Sequence, residues 1–130
     1  MATRATVAIQ MSTGEIAQIY VHFDGYPDGL GKELYDNYRD PEKILELINH
    51  GDASSVESTI DACEFYSRDR GEDECEAFQF QDLNDYFDRA RNEEFNYLFS
   101  NKGYWLVSRS NLTEMESLER VLEGLEALED

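Results

Sequence analysis

The chain has 130 residues, 41% of them apolar, with 29 Asp and Glu against 11 Lys and Arg, a formal net charge of −18. The length sets a single domain over residues 1–130, and seven Phe, eight Tyr and Trp105 give too much core material for a disordered chain. The charge argues against a broad face that grips DNA, RNA or an anionic membrane, which needs Lys and Arg, and no apolar run reaches the about 18 residues that span a bilayer.

Residues 4–11 and 15–23 read as a β-hairpin. Val7 and Ile9 alternate with Thr6, Ala8 and Gln10, and Ser12-Thr13-Gly14 supplies the turn. Residues 24–31 hold three glycines and Pro27, so they read as a structured turn. A short helix is expected over 30–38, with Leu30, Leu34, Tyr35 and Tyr38 on one side. The next helix has marked ends: Asp40 as N-cap, Pro41 at the first position, and Gly51 as the stop after His50. Ile44, Leu45, Leu47 and Ile48 form its apolar face.

Residues 52–61 read as loop or weak helix. Strands are expected at 62–67 and 75–80, joined through Arg68-Asp69-Arg70-Gly71-Glu72-Asp73. If Phe65 and Phe78 both face the core, Cys63 and Cys75 point to opposite sides, which disfavours a disulfide. A helix follows at 82–91, then a second hairpin of strands 95–100 and 103–108 around Asn101-Lys102-Gly103. The last element is a helix from 113 to 128, with Thr113 and Glu116 as a capping box and Asn111 with Glu114 as a competing one. Met115, Leu118, Leu122 and Leu125 form its stripe, widened by Val121 and Leu128; it packs on its own sheet or on a second copy, so monomer and homodimer both stay open. The order ββαα–ββα–ββα makes the class α+β, with an antiparallel sheet of about six strands in hairpins and a long acidic C-terminal helix.

Motifs for chemistry are thin. Gly25 to Gly31-Lys32-Glu33 is one residue too long for a phosphate-binding loop, and Glu33 stands where Ser or Thr should hold the metal. His22 and His50, the two histidines, form no local ligand pair with each other or with Cys63 and Cys75, so no metal or cofactor is expected. No serine sits in Gly-x-Ser-x-Gly. The chain therefore reads as a binding protein and not an enzyme. Two cysteines and an N-terminus with no apolar signal core point to a reducing cytoplasm. Arg68, Arg70 and Arg109 with an aromatic form an alternative ligand site, able to hold the phosphate of a nucleotide.

The acidic surface is the strongest signal. Glu116, Glu119, Glu123 and Glu126 recur every three or four residues, which spaces carboxylates ~4.5–6 Å apart along a helix axis. Duplex DNA places a phosphate every ~3.4 Å per strand, so the charge densities are of one order. Glu72, Asp73, Glu74 and Glu76 form a second cluster, and Asp82, Asp85, Asp88, Glu93 and Glu94 a third. Adaptation to high salt accounts for the total charge but not for this clustering.

The runs Ile19-Tyr20-Val21-His22-Phe23-Asp24-Gly25-Tyr26-Pro27-Asp28-Gly29-Leu30-Gly31, Gly51-Asp52-Ala53-Ser54-Ser55, Tyr66-Ser67-Arg68-Asp69-Arg70-Gly71-Glu72 and Phe95-Asn96-Tyr97-Leu98-Phe99 resemble those of a set of small phage proteins. Those proteins typically carry a His-Trp-Asp-Gly-Tyr turn, a Gly-Asp-x-Ser-Ser element and an Arg-Asp-Arg-Gly-Glu loop; Phe23 stands here for the Trp. The resemblance spans residues 5–107 and stops short of the acidic C-terminal helix. In size and charge the chain is also similar to acidic anti-CRISPR and anti-restriction proteins. These likenesses imply a phage protein acting in the host cytoplasm on a CRISPR effector or other nucleic-acid-binding defence protein. The contact would run through Glu116, Glu119, Glu123, Glu126, Glu72, Asp73, Glu74 and Glu76. The alternative is a sponge for a nucleotide immune signal.

Overall fold

The computed structural model describes residues 2–129, and the side chains of residues 2–127. Its strands are β1 (Ala5–Gln10), β2 (Ile16–Val21), β3 (Ala53–Ser55), β4 (Glu64–Phe65), β5 (Phe78–Phe80), β6 (Phe95–Phe99), β7 (Trp105–Arg109) and β8 (Glu116–Ser117). A π-helical turn (Pro27–Gly31) leads into α1 (Lys32–Asn37); α2 (Pro41–Asn49), α3 (Tyr66–Arg70), α4 (Leu83–Arg89) and α5 (Leu118–Glu129) complete the set. The class is α+β. Among the described residues no helix is long and apolar enough to cross a membrane.

The strands form one sheet in the order β4-β3-β2-β1-β6-β7-β8, with β5 also paired to β2. Both expected hairpins form, β1 with β2 and β6 with β7. The sheet has eight strands and is mixed, not a six-stranded antiparallel array. β1 runs parallel to β6, and β2 parallel to β3. The two hairpins therefore dock side by side through strands far apart in sequence, and pattern alone does not encode that choice.

Alternation along β1 and β2 feeds two cores. Val7, Ile9, Ile19 and Val21 join Tyr97, Phe99, Trp105 and Val107 on one face, under α1, α2 and Leu118 of α5. Ala8, Ile16, Leu98 and Phe80 face the other way and meet Tyr86 of α4 and Leu112. A row of buried polar residues continues that second face. Thr6 donates to Asn96 Oδ1 at 2.8 Å, and Asn96 Nδ2 donates to Asn92 Oδ1 and to the Glu93 carbonyl, pinning the loop before β6. Among the described residues the buried Tyr86 hydroxyl has no hydrogen-bond partner, and burial pushes its pKa up.

Several expectations need correction. β4 pairs with β3 and β5 with β2, so 62–67 and 75–80 make no hairpin. Arg68-Asp69-Arg70 lies in α3, ended by Gly71 in the left-handed region, and not in a hairpin loop. Phe65 is buried while Phe78 is 65% exposed, because α4 packs on Phe80 and leaves Phe78 uncovered. Both cysteines are free: Cys63 is packed beneath the Tyr38 hydroxyl, and the Cys75 carbonyl receives the Asp52 N–H. The last helix starts at Leu118, with Ser117 Oγ accepting from the Arg120 N–H. Neither capping box forms, because Asn111 Oδ1 instead closes a turn onto the Thr113 N–H and hydroxyl. Met115 falls on the second core and Leu118 on the first, so the expected stripe is divided by β8. Leu128 lies outside the described side chains.

The α2 helix follows its caps. Asp40 Oδ1 accepts from the Glu42 N–H at 3.0 Å, and the Gly51 N–H closes onto the Ile48 carbonyl. Gly51 has φ +83°, and a Cβ there would run into the Cys75 carbonyl oxygen. Gly51→Ala is therefore expected to lower the unfolding free energy by at least about 2 kcal/mol in a urea titration.

Candidate acidic interaction surface

Helix α5 crosses the first face of the sheet and contacts the π-helical turn, β7, β8 and α1. Its solvent side carries Glu119, Glu123 and Glu126, all exposed. These three line one open cleft of about 260 Å³ with Asp28 of the π-helical turn and Asp36 of α1; Leu122, Leu125 and Tyr35 supply apolar wall, and Lys32 is the cation in the lining. The Tyr35 hydroxyl donates to Glu119 Oε1 at 2.9 Å and fixes that carboxylate toward α1. Among the described residues no ion pair occupies any of these five carboxylates. Nothing in the local sequence joins Asp28 and Asp36 to the acidic row. They sit some 90 residues upstream of α5, and only the packing of α5 on α1 brings the two acidic sets together.

Glu116 is separated from this row. It lies in β8 opposite Val107 and lines a different cleft with Arg109, Val121 and Leu125. The strand ends where the helix begins, so the three- and four-residue spacing does not carry Glu116 onto the helix face.

Glu72, Asp73, Glu74 and Glu76 are exposed in the irregular segment between α3 and β5. Glu74 adopts φ +60°. The segment is tied to the β3 side of the sheet by the Asp52 N–H to Cys75 carbonyl bond at 2.7 Å, whereas α5 follows β8 at the other edge. The two acidic clusters are thus not one surface. Three residues of the third cluster serve the fold: Asp82 caps α4, Asp85 pairs with Arg89, and Glu93 pairs with Arg91, while Asp88 and Glu94 are exposed. The Arg89 guanidinium, with the Gln81 N–H, lowers the Asp85 carboxyl to about 2.

The arginine alternative is dispersed. Arg68 pairs with Asp69 and donates to the carbonyls of Ile60, Asp61 and Cys63. Its guanidinium, with the Phe65 N–H, holds the Asp69 carboxyl below the usual carboxylate range. Arg70 pairs with Glu64 and rests over the Tyr66 ring. Arg109 lies over Phe95 near the opposite edge of the sheet. The cleft that Arg109 lines contains neither Arg68 nor Arg70.

His50 stacks on Phe65 at 4.6 Å between ring centres, and His22 Nδ1 lies 2.6 Å from the Tyr20 hydroxyl. Among the described residues no group of three His, Cys, Asp or Glu side chains is arranged to hold a metal ion. Compared with known proteins, the chain matches no protein-family model, no curated protein and no solved structure.

Two outcomes follow from this geometry. Like charges three or four apart on a helix cost ~0.2–0.5 kcal/mol per pair, so Glu119→Gln/Glu123→Gln/Glu126→Gln should raise stability by up to about 1 kcal/mol at low ionic strength. The gain should vanish at 1 M salt, where the Debye length is ~3 Å. The second outcome concerns Asp52, whose carboxyl is raised by burial even though Oδ1 accepts from the Tyr20 N–H. A folded-state pKa above the unfolded one makes ionised Asp52 a cost at neutral pH and removes that cost at low pH. Asp52→Asn keeps the acceptor, so it should raise the urea midpoint at pH 7. The gain should fade once the pH drops below the unfolded carboxylate pKa.

Proposed function

We propose that this chain is a binding protein, with no catalytic step, that covers a cationic nucleic-acid-gripping surface of another protein. In its finer form the proposal is a phage-encoded anti-CRISPR inhibitor. It would occupy the DNA-binding groove of a host effector in the host-cell cytoplasm and present carboxylates where phosphates would lie. The observation that carries the reading is the acidic cleft, in which Glu119, Glu123 and Glu126 stand with Asp28 and Asp36 around a single lysine.

The chemistry favours a protein partner. Free carboxylates repel nucleic acid and attract the Lys and Arg that bind it. The charges are already fixed by helix and turn before any partner arrives, so little ordering entropy opposes docking. Three α5 carboxylates share one cleft with Asp28 and Asp36, although exposed acidic residues such as Glu42, Glu46, Glu72, Asp88 and Glu94 also lie elsewhere on the surface. The CRISPR assignment draws on the resemblance of residues 5–107 to small phage proteins and on the likeness in charge and size to acidic anti-defence proteins.

The test is a competition assay. A CRISPR effector is loaded on labelled target duplex and the protein is titrated in. Duplex occupancy is expected to fall, and Glu119→Lys/Glu123→Lys/Glu126→Lys is expected to need about tenfold more protein or worse for the same effect. Undisturbed occupancy for every effector type, together with a rise in melting temperature on adding a cyclic nucleotide, would replace this reading with the nucleotide sponge.

A further inference from the structure

The turn between β2 and α1 presents two aromatic rings to solvent. Phe23 is 46% exposed and Tyr26 40% exposed, in a chain whose other aromatics mostly serve the two cores. Scattered surface apolar residues need no explanation, but two large rings facing one cleft do. That cleft has a volume of about 250 Å³. Phe23 and Tyr26 line it together with the acidic residues Asp24, Asp28, Glu33, Asp36 and Glu57 and with Lys32.

Both rings are braced. His22 meets the Phe23 ring edge-on, with centres 4.5 Å apart, and the Tyr20 hydroxyl holds His22. Tyr26 lies against Gly29 so closely that a Cβ there would come within 2.7 Å of the ring. The Leu30 N–H closes the turn onto the Asp24 carbonyl at 2.8 Å. The rings therefore stand outward without the freedom to fold back onto the sheet, an arrangement that spares a partner the cost of ordering them.

Exposed aromatic faces beside a cluster of carboxylates that outnumber the one lysine in the lining, Lys32, suit one ligand chemistry above others. A cation is attracted by the ring quadrupole and by the carboxylates at once, and a guanidinium adds a flat face that stacks and a fork that binds carboxylate at two points. We infer that this cleft seats an arginine side chain of the partner, its guanidinium against Phe23 and Tyr26 and facing the surrounding carboxylates. The inference rests on the proposed docking of a cationic partner and names the contact that anchors it. The cleft shares Asp28, Lys32 and Asp36 with the α5 cleft, so the two form one continuous face.

The probes are a hexa-arginine and a hexa-lysine peptide, titrated by calorimetry at fixed salt into the full chain. Phe23→Leu/Tyr26→Leu keeps apolar area and every charge but removes both rings, and thermal unfolding checks that the fold is retained. Hexa-arginine affinity is expected to fall about 5- to 30-fold, with a much smaller change for hexa-lysine and no change in the salt slope. Unchanged hexa-arginine affinity, or an equal loss for both peptides, overturns the arginine seat. In either case, if Glu119→Gln/Glu123→Gln/Glu126→Gln still weakens both peptides, the acidic docking reading survives; if that variant also binds like the parent chain, the docking reading fails with it.

Discussion

Burial of the central strands on both faces holds this chain together against its own charge. β1 lies between β2 and β6, and its residues alternate between a large core under α1, α2 and α5 and a smaller one under α4. Fully burying one Ile or Leu is worth ~1.5–3 kcal/mol, whereas a like-charge pair on a helix costs ~0.2–0.5 kcal/mol. A few core residues such as Ile16, Ile19 and Leu98 therefore offset many repulsive contacts. The carboxylates can then stay unpaired on the surface without unfolding the chain. Of the acidic side chains that serve the fold, Asp85 is matched by Arg89 and Asp69 by Arg68, while Asp40, Asp82 and Asp52 accept from backbone N–H groups.

The division between paired and unpaired carboxylates follows the architecture. Arginines concentrate beside α3, α4 and the loop before β6, where they bond neighbouring carboxylates or lie over aromatic rings. The α5 face and the turn before α1 instead gather Glu119, Glu123, Glu126, Asp28 and Asp36 around Lys32. Exposed carboxylates without an ion pair also lie elsewhere among the described residues, at Glu72, Asp73, Glu74, Glu76, Asp88 and Glu94.

Local signals in the sequence carried far, and long-range ones did not. Both hairpins, α2 with its Asp40 cap and Gly51 stop, and the α4 helix follow from alternation, capping residues and turn chemistry. The parallel pairing of β1 with β6 depends on packing between segments some ninety residues apart, which no local pattern encodes. Short strands fared worst. Ala53–Ser55 and Glu116–Ser117 are three and two residues long, too brief for alternation to show, and the spacing of Glu116 from Glu119 reads as helix. At the acidic surface, the row Glu119, Glu123 and Glu126 was legible from its spacing. Asp28 and Asp36 were not, because their membership depends on where α5 lands. The turn at 22–29 stood out by its residues, but its two outward rings become evident only when the side chains are placed.

The central claim is that unpaired carboxylates fixed on one face drive association with a cationic groove. It is tested most directly by the affinity of the protein for a purified CRISPR effector, measured from about 50 to 200 mM salt, a range over which contacts of this kind lose orders of magnitude in binding constant. The account predicts a steep linear fall of log K with log salt, and a shallower slope when Glu119, Glu123 and Glu126 are neutralised together. An affinity that holds level across that range would contradict it.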